Sequence, residues 1–320
     1  PHLHDYLQEM NREVFSKYNL MTVAEGAGRN PQEAMLFVDP DRHEMDMTYH
    51  FDAGRVLHKD GTYKLTDLKN VFTSWEKEFA TKGWQSIYLG SHDQARIVSR
   101  FGDDRPEFRA PSAKLLTTFL LTMHGTPYCY YGDELGMTNI RLGNIADYRD
   151  VAARNGYQLI KSQNGSVPEY IESLKLFSRD NGRTPFQWNA TAHAGFSTGT
   201  PWLQVNPNYT TINEAAQNKD STSVLNHFRR AIALRKQLPV LVYGQYELLD
   251  AANPSVWAYT RTLGKNKLLI VLNFSDAARA WNVPNNLKIS GKALLNNYPA
   301  IQARGTLAMQ PWQAVVFSLE

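Results

Sequence analysis

Acidic residues stand just beyond three apolar runs in this 320-residue chain. Glu25 closes the run Met21-Thr22-Val23-Ala24, with Gly26 beside it. Asp93 follows Ile87-Tyr88-Leu89 by way of Gly90-Ser91-His92. Asp133 and Glu134 come after Pro127–Tyr131. In parallel α/β architectures the catalytic groups lie just past the C-terminal ends of strands. An ionised carboxylate in such a place is costly unless it is paired or solvated. The plain alternative is an acid that caps the next helix. Two carboxylates facing one cleft suit the cleavage of a glycosidic bond. One must stay protonated to give its proton to the leaving oxygen, and the other must stay ionised to attack or stabilise an oxocarbenium-like centre. Sequence carries no distance between them, so retention and inversion both stay open. For Asp133 and Glu134 the expected role is hydrogen bonding to nearby loops.

The elements that must position these acids follow from periodicity. Leu3, Tyr6, Leu7, Met10, Val14 and Phe15 recur at helical spacing and predict a helix over residues 3–18. Residues 20–24, 45–51, 83–89 and 127–131 read as strands, and residues 65–82 and 111–123 as helices between them. Such alternation predicts a parallel sheet with crossover helices. Residues 132–221, rich in Asn, Thr, Gly and Pro, read as one long irregular segment of the kind that usually serves function. A helix is predicted over 222–237. From Tyr243 the period changes to short strands at 245–249, 256–262, 267–273, 292–295 and 313–319, a small all-β module.

Composition narrows the class. Lys and Arg total 34 and Asp and Glu total 31, and no basic block stands out, so a nucleic-acid partner is not implied. No apolar run approaches the length of a membrane span. Cys129 is the single cysteine, which rules out a disulfide framework and a cysteine-based zinc site. Aromatic residues reach 12%, enough to serve both a core and surfaces for sugar rings. Trp257, Trp281 and Trp312 are expected in the core of the β-module.

Several motifs together carry a family resemblance. Met21–Gly26 resembles the fifth-strand motif of the α-amylase superfamily, glycoside hydrolase family 13, and Tyr88–Arg96 resembles its seventh-strand motif. Arg179-Asp180-Asn181-Gly182-Arg183-Thr184-Pro185-Phe186-Gln187-Trp188 resembles a segment of the oligo-1,6-glucosidase, α-glucosidase and sucrose isomerase branch. Ala194-Gly195-Phe196, Pro201-Trp202, Asn206–Tyr209, Gln217–Ser221 and Leu234-Arg235-Lys236 also fit. The resemblance implies the second half of a (β/α)8 TIM barrel, strands five to eight, over residues 1–240. The segment 132–221 would be the long loop after strand eight, and a C-terminal antiparallel β-sandwich would occupy 241–320. On this reading the chain begins after strand four. The nucleophilic Asp would lie in a missing N-terminal half-barrel, the chain's expected partner, because the motif that carries it is not found here.

The resemblance also implies roles. Glu25 would be the general acid/base and Asp93 a second carboxylate that grips two hydroxyls of the bound glucose. His92 would hydrogen-bond the same sugar. Arg179 would pair with a distant Asp to close the pocket, with Arg183 the second choice. Ser91 replaces the usual Asn, which puts one hydrogen bond in doubt. Arg55 is what survives of a charged loop that holds released fructose in sucrose isomerases, which favours hydrolysis. Phe101–Pro106 also occurs in the isomerase branch and keeps isomerisation open. The expected substrate is a small α-glucoside, with no cofactor in this segment and room for a structural calcium in the missing half. A bacterial cytoplasmic enzyme is implied, permitted by the single Cys129, while a periplasmic one stays open. A catalytically inactive amylase-like binding protein is the rival from another class, and retention of Glu25 and Asp93 argues against it.

Overall fold

The computed structural model describes residues 2–26, 28–301 and 305–320. Its first part alternates as the periodicity predicts: α1 (Leu3–Glu13), β1 (Val23–Glu25), α2 (Pro31–Val38), β2 (Met47–Tyr49), α3 (Asp52–Arg55), α4 (Leu65–Glu78), β3 (Ser86–Tyr88), α5 (Ile97–Phe101), α6 (Pro106–Thr122) and β4 (Thr126–Tyr128). β1 pairs with β2 and β3 with β4, both in parallel, and a parallel bridge between Thr48 and Gln85 joins the pairs. The four strands thus form one array in chain order. α2 shows why a boundary falls where it does. Asn30 accepts from Glu33 N at 2.8 Å, and Pro31 occupies the first helical position, where a missing N–H costs nothing.

Several sequence expectations shift. The helix expected over residues 3–18 ends at Glu13, and a short 3-10 turn follows over Phe15–Lys17. The helix expected from residue 111 begins at Pro106 and runs through Pro111. Pro111 is tolerated because its missing donor would face the carbonyl of Glu107, an exposed residue in the first turn where water can substitute. Residues 132–221, expected to be irregular, contain α7 (Val151–Ser162), α8 (Val167–Phe177) and α9 (Glu214–Lys219). The polar residues that suggested irregular chain are partly caps: Asp150, Ser166 and Asn213 each accept from the first turn of one of these helices. α7 and α8 close on a small core of their own with Leu142, Tyr148, Ala153 and Leu174.

α10 (Val224–Gln237) and α11 (Pro239–Tyr243) lead into the antiparallel part. Its strands are β5 (Gln245–Leu249), β6 (Val256–Leu263), β7 (Asn266–Asn273), β8 (Arg279–Asn282), β9 (Ile289–Asn296), β10 (Thr306–Met309) and β11 (Ala314–Leu319). Sequence reading missed β8 and β10, which are short and pair only with each other. The larger sheet has the order β5-β6-β7-β11-β9. Its central strands are buried on both faces. Trp257, Tyr259, Ile270 and Val316 meet the helices, while Val256, Leu269, Val271 and Phe317 meet Trp281, Leu307 and Met309 of the β8–β10 ribbon. That two-sided burial explains why β6, β7 and β11 read as nearly unbroken apolar runs. Trp257, Trp281 and Trp312 are all buried, as expected. No helix among the described residues is long and apolar enough to cross a membrane.

Candidate active site

Strand register builds the first layer of the site. Glu25 lies opposite Tyr49, and Tyr88 opposite Tyr128, so the last residues stand side by side within each strand pair. Together with Phe51, Ser91 and His92 they line a cavity of ≈210 Å³ at the C-terminal ends of the strands. Glu25 is exposed to it. The rings pack on one another, Tyr49 lying 5.2 Å from Tyr88 and 6.5 Å from Tyr128 between centroids. Burial, and then the charges of Glu25 and of Asp93 among other groups, push the Tyr49 hydroxyl up to about 12. It therefore stays a proton donor at neutral pH, and both carboxylates lie within electrostatic reach of it.

Asp93 sits at the rim of this cavity, in the neighbouring depression with Gly54 and Gln94. Its Oδ1 accepts from Arg183 Nη2 at 2.9 Å and from Arg179 Nη1 at 3.2 Å. His92 Nε2 is 3.4 Å from the other oxygen. Arg183 also donates through Nε to the His92 carbonyl at 2.7 Å. Asp93 N donates to Ser91 Oγ at 3.2 Å, so the serine hydroxyl supplies a local bond that tightens the turn.

Arg179 is held from behind. Its Nε and Nη2 donate to the two oxygens of Asp150 at 2.8 and 2.6 Å, a bidentate fork. That contact holds the Asp150 carboxyl below the usual carboxylate range. Asp150 is in turn set by Asp180, fully buried, whose Oδ2 accepts from the backbone N–H of Arg149 and of Asp150. The loop carrying Arg179 and Arg183 is pinned to the loop after β3 by Arg96, which donates to the carbonyls of Asn181 and Thr184 at 3.2 and 3.3 Å. Gly182 is required at this junction, since a Cβ there would fall 2.3 Å from the Gln94 carbonyl oxygen.

The structure joins His92, Asp93, Arg179 and Arg183 by direct contacts and puts Glu25 with His92 in one cavity. Arg55 does not line that cavity: it lies on α3, largely exposed and paired with Asp52 at 2.8 Å, next to Gly54 of the Asp93 depression. Sequence reading missed Tyr49, Tyr88 and Tyr128. Their shared position, last in each strand, emerged only with the observed strand ends, since the predicted strands ran on to residues 51, 89 and 131. It also missed Asp150 and Arg96, which nothing short of tertiary contact would single out. Burial pushes Asp133 up to about 7, and Glu134 accepts from Gly132 N at 2.7 Å, which is loop bonding of the expected kind.

Comparison with known proteins supplies the family. Residues 1–244 match the family described as "Alpha amylase, catalytic domain", and residues 246–316 that described as "Maltogenic Amylase, C-terminal domain". The chain is 44% identical to an oligo-1,6-glucosidase of Parageobacillus thermoglucosidasius, over all of this chain and 58% of that protein. It is 40% identical to an oligo-1,6-glucosidase of Bacillus cereus, over all of this chain and 59% of that protein. Its structure superposes on that of the trehalulose synthase from Pseudomonas mesoacidophila MX-45 with a TM-score of 0.96 at 38% identity, covering all of this chain and 59% of the other. The chain thus spans just under three fifths of the length of the curated relatives it matches. The architecture is the second half of a TIM barrel, four parallel strands with their helices, followed by an antiparallel β-sandwich.

Proposed function

The chain belongs to the α-amylase family, and from that premise we propose that it supplies half the catalytic machinery of a retaining α-glucosidase. The substrates are short α-linked oligosaccharides or sucrose. Glu25 is the general acid/base. It protonates the glycosidic oxygen while a carboxylate from outside this chain attacks the anomeric carbon. The ionised Glu25 then takes a proton from water, which releases glucose with its α configuration. The terminal glucose occupies the ≈210 Å³ cavity, a size suited to one pyranose ring. Asp93 accepts from two of its hydroxyls, His92 donates to it, and Arg179 and Arg183 hold Asp93 in place. Arg55 has no part in this step.

One observation carries the reading: Glu25 ends β1 and lines one cavity with His92, and His92 Nε2 lies 3.4 Å from the carboxylate of Asp93, in the turn after β3. The remaining barrel strands and the nucleophile come from a preceding half-barrel that pairs with the free edges of β1 and β4. Two open edges among the described residues support that partner.

The test is Glu25→Gln in the complete enzyme. Hydrolysis of an unactivated α-glucoside should fall by roughly a hundredfold or more. An aryl glucoside with an acidic leaving group should keep a rapid first step, because that step needs no proton. Full turnover of both substrates would end the proposal. The similarity to a trehalulose synthase keeps a second reading alive, in which sugar replaces water as acceptor. Products from sucrose decide: glucose and fructose support hydrolysis, whereas isomaltulose or trehalulose supports isomerisation.

A further inference from the structure

Several exposed cations of this chain are matched by carboxylates. Arg105 meets Asp103 and Asp276, Arg141 meets Asp104, and Lys82 meets Asp39 and Asp41. Three others are not. Lys219 ends α9, and Arg229 and Arg230 lie within α10. All three are exposed, and none is paired with a carboxylate among the described residues. They line one concavity of ≈450 Å³ with Asn218, Ser221 and Asn226, and no acid belongs to its wall among the described residues. Asp220 stands between Lys219 and Ser221 in the chain, yet its Oδ1 accepts from Thr222 N and Oγ1 at 2.8 and 2.7 Å instead.

The guanidinium groups are held in place by neutral acceptors. Asn226 donates through Nδ2 to the carbonyls of Gln217 and Asp220 at 3.0 and 2.8 Å, which fixes its amide. Arg229 Nη1 donates to Asn226 Oδ1 at 3.0 Å and to Asn218 Oδ1 at 2.6 Å. Arg230 Nη1 donates to the Ser221 carbonyl at 2.7 Å. These bonds orient both forks without cancelling their charge, and Nε and Nη2 of each have no partner among the described residues. The positive field reaches inward. Burial first, then the charge of Arg230, lowers the pKa of Lys114 on α6. Burial, then the charges of Lys114 and Arg230, hold the His227 ring down at about 3. Like charges gathered without a counter-charge oppose the compact state, and a bound anion relieves that repulsion.

We propose that this concavity binds the phosphate group of a phosphorylated small molecule. Two guanidinium forks match the oxygens of a phosphate, and the Lys219 ammonium adds a point charge. The volume lies within the range of small-ligand sites. A second depression of ≈290 Å³ continues from the first, sharing Arg230 and Ala233 with it, and runs between α10 and β9. Leu234, Leu294 and Leu295 line it, so it offers an apolar place for the organic part of the same molecule. A nucleic-acid strand would need a longer basic track than three residues in one concavity. The site shares no lining residue with the cavity that holds Glu25, and it stands apart from the α-glucosidase reading.

The experiment is isothermal titration of the complete enzyme at physiological salt. The probes are pyrophosphate, glycerol 3-phosphate and ADP, which share a phosphate and differ in what carries it. The expected result is one saturable site with a dissociation constant below about 1 mM for at least one probe. Arg229→Gln and Arg230→Gln should each weaken it about tenfold, the loss of a charge-assisted hydrogen bond, while the melting temperature without ligand stays nearly unchanged. Lys265→Gln, the same change of charge in the exposed β6–β7 turn, should bind as the wild type does. Arg230-dependent binding of any of the three supports the proposal, and the tightest of them identifies the carrier. No saturation by any probe up to ~10 mM, or an equal loss in Lys265→Gln, would overturn it. So would a short single-stranded RNA that binds more tightly than all three in an Arg230-dependent way, because the surface would then read a polymer. None of these outcomes depends on whether α-glucosides are hydrolysed.

Discussion

Charges at the two ends of the parallel strands are handled in opposite ways. At the N-terminal ends they are sealed. Glu76 and Arg261 are both buried and face each other at 3.3 Å, and Glu76 also accepts from Gln85 Nε2 and His124 N. Arg235 donates to the carbonyls of Leu121, Met123 and Leu241. Lys69 donates to three carbonyls of the segment that leads into β6. At the C-terminal ends the charges stay reachable. Asp93 keeps 43% of its side chain exposed, although two guanidinium groups touch it. A sealed charge faces only the fold and joins barrel to sandwich, even where, as at Arg261 Nε and Nη2, some of its donors have no hydrogen-bond partner among the described residues. An open one retains lone pairs for a ligand, which is why barrel chemistry gathers at that end.

Mutations can break this contrast. The largest effect belongs to the open end: Asp93→Asn should lower kcat/KM on an α-glucoside by roughly 10²–10⁴ while leaving the melting temperature nearly unchanged. Next comes the sealed end, where Arg261→Met strands a buried Glu76. Chemical denaturation should show a loss of about 3–5 kcal/mol, with unchanged kcat in the protein that remains folded. Adding Glu76→Leu should recover most of it, because an apolar pair avoids the desolvation cost. A fall in kcat for Arg261→Met would erase the distinction between the ends. Arg179→Lys should raise KM about tenfold, since lysine cannot span both oxygens of Asp150 and still reach Asp93.

The smallest effect is a pH dependence at the sealed end. Burial first, then the charges of Arg261 and Arg235, hold the His124 ring down at about 4, against 6.5 when free. The unfolded chain therefore takes up a proton before the folded one does. The stability this confers is complete above pH ~6.5 and is lost as pH falls towards 4. His124→Phe should flatten the melting-temperature profile in that window by roughly 2–4 °C, and an unchanged slope would mean that other groups carry it.

Much of the fold was open to reading from sequence because burial leaves a pattern. The alternation of periods between Leu3 and Tyr128 predicted the parallel array, and β6 and β7 were placed to within a residue at each end. β8 and β10 were missed, being four residues long with exposed alternate positions. The helices at 151–177 were missed because they pack on their own small core and carry polar, Gly-containing stretches. In the candidate site, Glu25, His92 and Asp93 were legible from their places after apolar runs. Arg55 was singled out from a loop comparison, and its ion pair with Asp52 could not be foreseen.

Sequence by itself determined the family, the alternation of the parallel part and the acids that follow its strands. All of these are local: a period, a turn residue, a motif. Tertiary structure alone decided that Arg179 and Arg183 converge on Asp93 and that Asp180 and Asp150 stand behind Arg179. Those contacts join segments far apart in the chain. Their geometry depends on strand register and on how the loops pack, and no local rule encodes either.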